Sequence, residues 1–160
     1  MALTTAQAAA LKADILLDPV LGPLLNTSDN AFEIARLYNL PASPAFTVWK
    51  TRVSINDVGK AFSGAELAGL TTGNQTRLQT IAQYLAEGVN PSLLDNRVFF
   101  DDVFSGAGGT ITRANLLTLW KRSASRVEKL FSTGTGSVAA PATLGFEGQV
   151  SYQEIQAARA

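Results

Sequence analysis

Three clusters in this 160-residue chain have residue types and spacings that could do chemistry. The first is Ser105-Gly106-Ala107-Gly108-Gly109-Thr110, placed just before an expected helix. Glycine-rich segments of that kind can turn backbone N–H groups toward a phosphate. This one lacks the Lys of the nucleotide-binding loop and follows an expected helix rather than a strand. Gly106 also reads as a helix terminator, with Gly108 and Gly109 making the turn. The second cluster is Asp101 and Asp102 with Asp95 before them, carboxylates suited to acid/base work or to a divalent cation. Adjacent carboxylates on a helix point to different faces, so the pair does not converge on one atom, and Arg97 is an i,i+4 partner for Asp101. The third is the basic set Arg113, Lys121, Arg122, Arg126 and Lys129, which falls on one long expected helix. Such a strip can meet an acidic partner, line a channel carrying DNA, or be solvated.

Trp49 and Trp120 each have basic neighbours, Lys50 and Arg52 for the first and Lys121 and Arg122 for the second. Aromatics beside Arg are frequent interface anchors, whereas a Trp on an apolar helical stripe is more often core. Trp120 is expected in the core, and both readings stay open for Trp49.

Composition narrows the chemistry further. The chain contains no His and no Cys. The commonest general base near neutral pH and the commonest metal ligand are missing, and so are disulfides, thiolate metal sites and cysteine nucleophiles. The expectation is a protein that is not an enzyme, with no cofactor and no metal, in a reducing or redox-indifferent setting. Lys plus Arg (13) equals Asp plus Glu (13), so no overall field favours a polyanion. The apolar stretch Ile15 to Leu17 is broken by Asp18-Pro19 before Val20 and Leu21, far short of the ~20 residues of a membrane span, and no export signal is evident.

The elements that must position these residues are mostly helical. Expected helices cover 5–17, 28–38 (capped by Ser28, Asp29 or Asn30), a short one after Ser54, another after Ser63 with Glu66 as a capping box, and 72–87 with Thr72 and Gln75 as its box. Asn90-Pro91 should start a helix reaching Phe104, and Thr110 or Thr112 the longest one, ending at Phe131 through Leu116, Trp120, Ala124 and Val127. Helices 72–87 and 112–131 are expected to form the central core. Phe46, Val48 and Val53 alternate like a short strand. The Gly/Ser/Thr run 132–137 and Ala139-Ala140-Pro141-Ala142 read as a linker. Beyond it, Leu144, Phe146 and Val150 suggest an extended pair around Glu147-Gly148, and Ser151 with Glu154 caps a last helical turn carrying Tyr152 and Ile155. The fold class is therefore all-α: a compact helical body (1–131) with an extended carboxy-terminal arm (132–160) that admits a short β element.

Several of these segments, in their present form, resemble a known family. They are the run Phe104 to Gly109, Leu119-Trp120-Lys121-Arg122, Glu128-Lys129-Leu130-Phe131-Ser132-Thr133-Gly134-Thr135-Gly136-Ser137, Pro141 to Leu144, Phe146-Glu147-Gly148, and Ser151-Tyr152-Gln153, together with Pro44-Ala45-Phe46 and Val48-Trp49-Lys50-Thr51 upstream. Together they are similar to small virion structural proteins of tailed bacteriophages, of the head-to-tail connector or adaptor kind. The resemblance implies a subunit made in the host cytoplasm and carried in the virion. It would assemble as a homo-oligomeric ring on the portal or on neighbouring virion proteins, with non-specific contact to packaged DNA and no membrane partner. On this reading the interface residues are Trp49, Arg113, Lys121, Arg122, Arg126, Lys129, Leu144, Phe146, Tyr152 and Ile155, and the arm docks on a neighbour. The alternatives are a capsid-decorating or tail-completion protein and, in another class, a small nucleic-acid-binding regulator using the 113–129 strip.

Overall fold

A computed structural model describes residues 3–85 and 87–160. In chain order the helices are α1 (Thr5–Leu17), α2 (Ser28–Asn39), α3 (Ile55–Ala61), α4 (Gly64–Ala68), α5 (Thr72–Tyr84), α6 (Leu94–Val103), α7 (Thr110–Leu119), α8 (Arg126–Leu130) and α9 (Tyr152–Arg159). Four short strands, β1 (Thr47–Trp49), β2 (Lys121–Ser123), β3 (Ser132–Thr133) and β4 (Thr143–Leu144), make two two-stranded sheets, β1 with β2 and β3 with β4. The protein is thus mostly helical, with a small β component. The chain divides into two units, one of residues 1–48 and 123–160 and the other of residues 49–122.

The first unit is held by both ends of the chain. α9 packs on α1 and α2, and Leu11, Ile15, Ile34, Tyr38, Val127 and Ile155 are completely buried together. Thr4 caps α1 through a capping box with Gln7, Thr27 caps α2, and the Ser125–Glu128 and Ser151–Glu154 boxes start α8 and α9. The stretch before α9 is anchored by polar groups as well as by Phe146 and Val150. Asn39 donates from Nδ2 to the Val150 carbonyl (2.9 Å) and accepts from the Val150 N–H (3.0 Å). The buried Glu128 carboxylate accepts from the N–H groups of Ser125 and Gly148.

The separate arm expected from residue 132 onward does not form, since 123–160 belongs to the first unit. Phe146, Val150, Ile155 and Ala158 belong to the core of the first unit, so 132–160 is part of the body. The apparent linker is ordered by backbone pairing. β3 and β4 are antiparallel, with Ser132 opposite Leu144, so Leu144 pairs with the start of the supposed linker rather than with Val150. The Thr47 N–H donates to the Gly136 carbonyl (2.7 Å), and the Ala142 N–H to the Thr47 carbonyl (2.9 Å). Gly136 has φ +66°, and a Cβ there would fall 2.1 Å from the Phe46 ring. Its glycine is a requirement of close approach, not a sign of a flexible tether.

The second unit has its own aromatic core. Val58, Val89, Phe100, Val103, Phe104, Leu116 and Trp120 are buried, and Phe100 meets Phe99 edge-on (5.2 Å) and Trp120 at 5.6 Å. Ser54 caps α3 as expected. Ser63 makes no side-chain cap to α4. Glu66 reaches instead to the start of α7, accepting from the N–H groups of Ile111 (2.9 Å) and Thr112 (2.7 Å), while the Thr112 hydroxyl accepts from the Ser63 N–H (3.0 Å). A carboxylate at that helix start satisfies orphan donors and suits the dipole.

Several expected boundaries and core assignments also differ. The 110–131 helix is broken: α7 ends at Leu119, 121–123 pairs with β1, and Ser125 restarts the chain as α8. A strong local capping box and a committed backbone outweigh the continuous apolar stripe. α6 begins at Leu94 rather than Pro91, because the Asn90 side chain accepts from the Ser92 N–H and holds 90–92 as a turn. The cap of α5 is Thr71 rather than Thr72, the helix ends at Tyr84, and no residue in it is buried, so it is not a central core element. Ala86, within the expected 72–87 helix, lies outside the described residues.

Candidate protein–protein interface

The glycine-rich loop is structural. Gly106 takes φ +73°, and a Cβ on Gly109 would sit 1.9 Å from the Phe104 carbonyl oxygen, so the chain can turn into α7 only with glycine there. The Asp pair does not converge. Asp102 stands 4.0 Å from Arg77, and Asp101 acts on Arg97 through its charge. Among the described residues no group of three or more acidic side chains is placed to hold a metal ion, and no helix is long and apolar enough to cross a membrane.

The basic strip is dispersed. With the 110–131 helix broken, Arg113 lies on α7, Lys121 and Arg122 on β2, and Arg126 and Lys129 on α8. Arg126 is committed within the first unit. Its guanidinium contacts Asp14 (3.1 Å) and Asp18 (3.0 Å), lies over the Tyr38 ring at 4.2 Å and donates to the Tyr38 hydroxyl, which itself donates to Asp14. This knot ties α1, α2 and α8 at one wall of a cleft of about 630 Å³. The N–H of Val20, with that of Leu21 and Arg126 itself, holds the Asp18 carboxyl below its ordinary range. Burial and the Asp14 carboxylate push the Tyr38 hydroxyl up, so it stays protonated and donates. Lys129 stands 5.7 Å over the Phe46 ring.

In the second unit, Trp49 and Arg113 come together at a groove of about 310 Å³ with Leu94, Arg97, Val98, Asp101, Leu117 and Trp120. The Arg97 guanidinium stacks on Trp49 at 4.2 Å and the Lys121 ammonium lies 5.6 Å from the same ring. Arg97 donates to the Pro91 carbonyl and Arg113 to the Phe104 carbonyl. Trp120 is core, as expected, at 2% exposure, and its indole N–H has no acceptor among the described residues.

Other expected interface residues are core. Phe146 and Ile155 are buried, so neither is offered to a partner, and Leu144 is half-buried against the Val48–Ala124–Ala142 cluster. Tyr152 stacks on Phe32 with ring centroids 4.1 Å apart. Sequence reasoning missed the apolar residues that are exposed: Leu16 (57%), Leu17 (83%), Val20 (72%) and Leu25 (74%) in the first unit, and Leu94 (61%), Val98 (43%) and Leu117 (43%) at the Trp49 groove. Asp18-Pro19 in the middle of an apolar run was the available signal for the first group, since it ends α1 and exposes what flanks it.

No known protein family matches the chain, and neither a curated protein nor a solved structure matches it.

Proposed function

We propose that the chain is a bacteriophage virion structural protein, a head-to-tail connector subunit that works by protein–protein contact in a ring and not by catalysis. The carrying observation is the exposure of Leu16, Leu17, Val20 and Leu25 along one stretch of the first unit. Large apolar side chains grouped at a surface mark a face that another protein covers. The absence of His and Cys from the sequence agrees with a binding role, and the resemblance of the short runs 104–109, 119–122, 128–137, 141–144, 146–148 and 151–153 to small tailed-phage virion proteins supplies the class of assembly. Assembly through a free carboxy-terminal arm has lost its support, because that segment packs in the first unit, and the exposed apolar faces take its place.

Quantitative mass spectrometry of purified particles tests this reading. The protein should be present at the copy number of one ring per particle. Hundreds of copies would make it a capsid-decorating protein, and absence from the particle would overturn the virion role.

A further inference from the structure

We infer that the Trp49 groove of one copy receives the carboxy-terminal end of α1 from the next copy. The inference rests on the reading of the chain as an assembling subunit and names the two faces that would meet. The occupant is argued from complementarity of shape-filling apolar groups and of charge. Leu16 and Leu17 form the last turn of α1, with Val20 just past the Asp18 cap, and all three are more than half exposed. That last turn contains no basic residue, so the negative end of the helix dipole is not neutralised from within α1. Beside it stand two carboxylates, Asp14 and Asp18, against one guanidinium, Arg126. The end of α1 is thus an apolar knob with a negative base.

The groove has the opposite character. Leu94, Val98 and Leu117 offer apolar walls that are 43–61% exposed. Arg97 and Arg113 set two guanidiniums against the one carboxylate of the lining, Asp101, and with Lys121 over the Trp49 ring they leave the groove positive on balance even though Asp101 acts on Arg97 and Glu66 interacts with Arg113. The Trp49 ring under Arg97 adds a flat amphipathic surface of the kind that anchors interfaces. Because the knob and the groove are different surfaces, each contact is heterologous and leaves one knob and one groove open, so it propagates head to tail and closes into a ring where the rotation between copies allows. The charge part of the contact should weaken with salt, and the apolar part should not.

Sedimentation velocity of the full chain tests the inference with Leu17→Lys and Leu117→Asp. Leu17 is 83% and Leu117 43% exposed, so folding should be retained in both. The first sets a cation against the basic groove, and the second sets an anion against the negative base of the knob. Either variant alone should lose association by roughly 30-fold or more, the equivalent of about 2 kcal/mol. An equimolar mixture retains one intact knob and one intact groove, so it should form one-to-one dimers and nothing larger. Should circular dichroism show that either charged variant has lost its fold, Leu17→Ser and Leu117→Ser make the same comparison. Variants that assemble like wild type, a mixture no different from the single variants, or a wild-type chain still monomeric at about 1 mM would each overturn the pairing. The virion role fails separately, if particles lack the protein even though the knob and groove variants behave as expected.

Discussion

The two units reach stability by different routes. The first joins segments from opposite ends of the sequence: α1 and α2 pack against α8 and α9, with a knot of charge at Arg126 and a polar clamp at Asn39. The second is one uninterrupted stretch, 49–122, built on an aromatic core, with α5 contributing no buried residue. The first unit therefore depends on contacts whose loop-closure entropy is large, and the second on contacts that are mostly local. The consequence is an asymmetry in what truncation or point substitution should do.

The largest effect expected is from deleting residues 132–160. That removes Phe146, Val150, Ile155 and Ala158 from the first core, so the first unit should fail to fold, while the peptide 49–122 by itself should give a helical spectrum and a cooperative melt. A truncated chain with the full helical signal would break the comparison. Next is Trp120→Ala, which should cost the second unit about 3–5 kcal/mol by chemical denaturation. Trp120→Phe should cost only about 1 kcal/mol, because the lost indole N–H had no acceptor. Arg126→Gln should follow at about 1–2 kcal/mol, confined to the first unit, since its side chain is a third exposed and water screens part of the loss.

Acidification should be milder and act on both units. Asp18 is held below its ordinary range by the Val20 N–H. At Glu66 the desolvation cost is outweighed by the N–H groups of Thr112 and Ile111. A carboxyl whose value is depressed on folding adds stability that is complete above its unfolded value of about 4 and is lost as the pH falls through its folded value. Thermal melts between about pH 5 and pH 2 should show falling stability, and Asp18→Asn should flatten that fall in the first unit alone. The smallest effect is expected from Tyr84→Ala on α5, within about 0.5 kcal/mol, because the ring is 80% exposed.

Start signals were a good guide where no remote group competed for them, although the Ser63–Glu66 box and the Asn90-Pro91 start did not form as read. The expected 5–17 helix coincides with α1, the boxes at Ser151–Glu154 and the cap at Ser54 form as read, and Trp120 is buried. Readings that rested on periodicity or on composition fared worse. The apolar stripe from Leu116 to Phe131 crosses a strand, and the Gly/Ser/Thr run is paired backbone. Of the expected interface set, Trp49 and Arg113 meet at a groove, whereas Phe146 and Ile155 are core, since an apolar residue in a short terminal segment looks the same in sequence whether it faces a partner or its own chain.

By itself the sequence determined the mostly helical class, the positions of several capped helices and the absence of His and Cys side chains, because composition and the caps that remote groups leave in place are local properties. Tertiary structure alone decided that both chain ends close one core, that Arg126 is spent on Asp14 and Asp18, and that Leu16, Leu17 and Val20 remain at the surface beside them. Those outcomes depend on which remote segments meet, and burial is a property of the meeting and not of the residue.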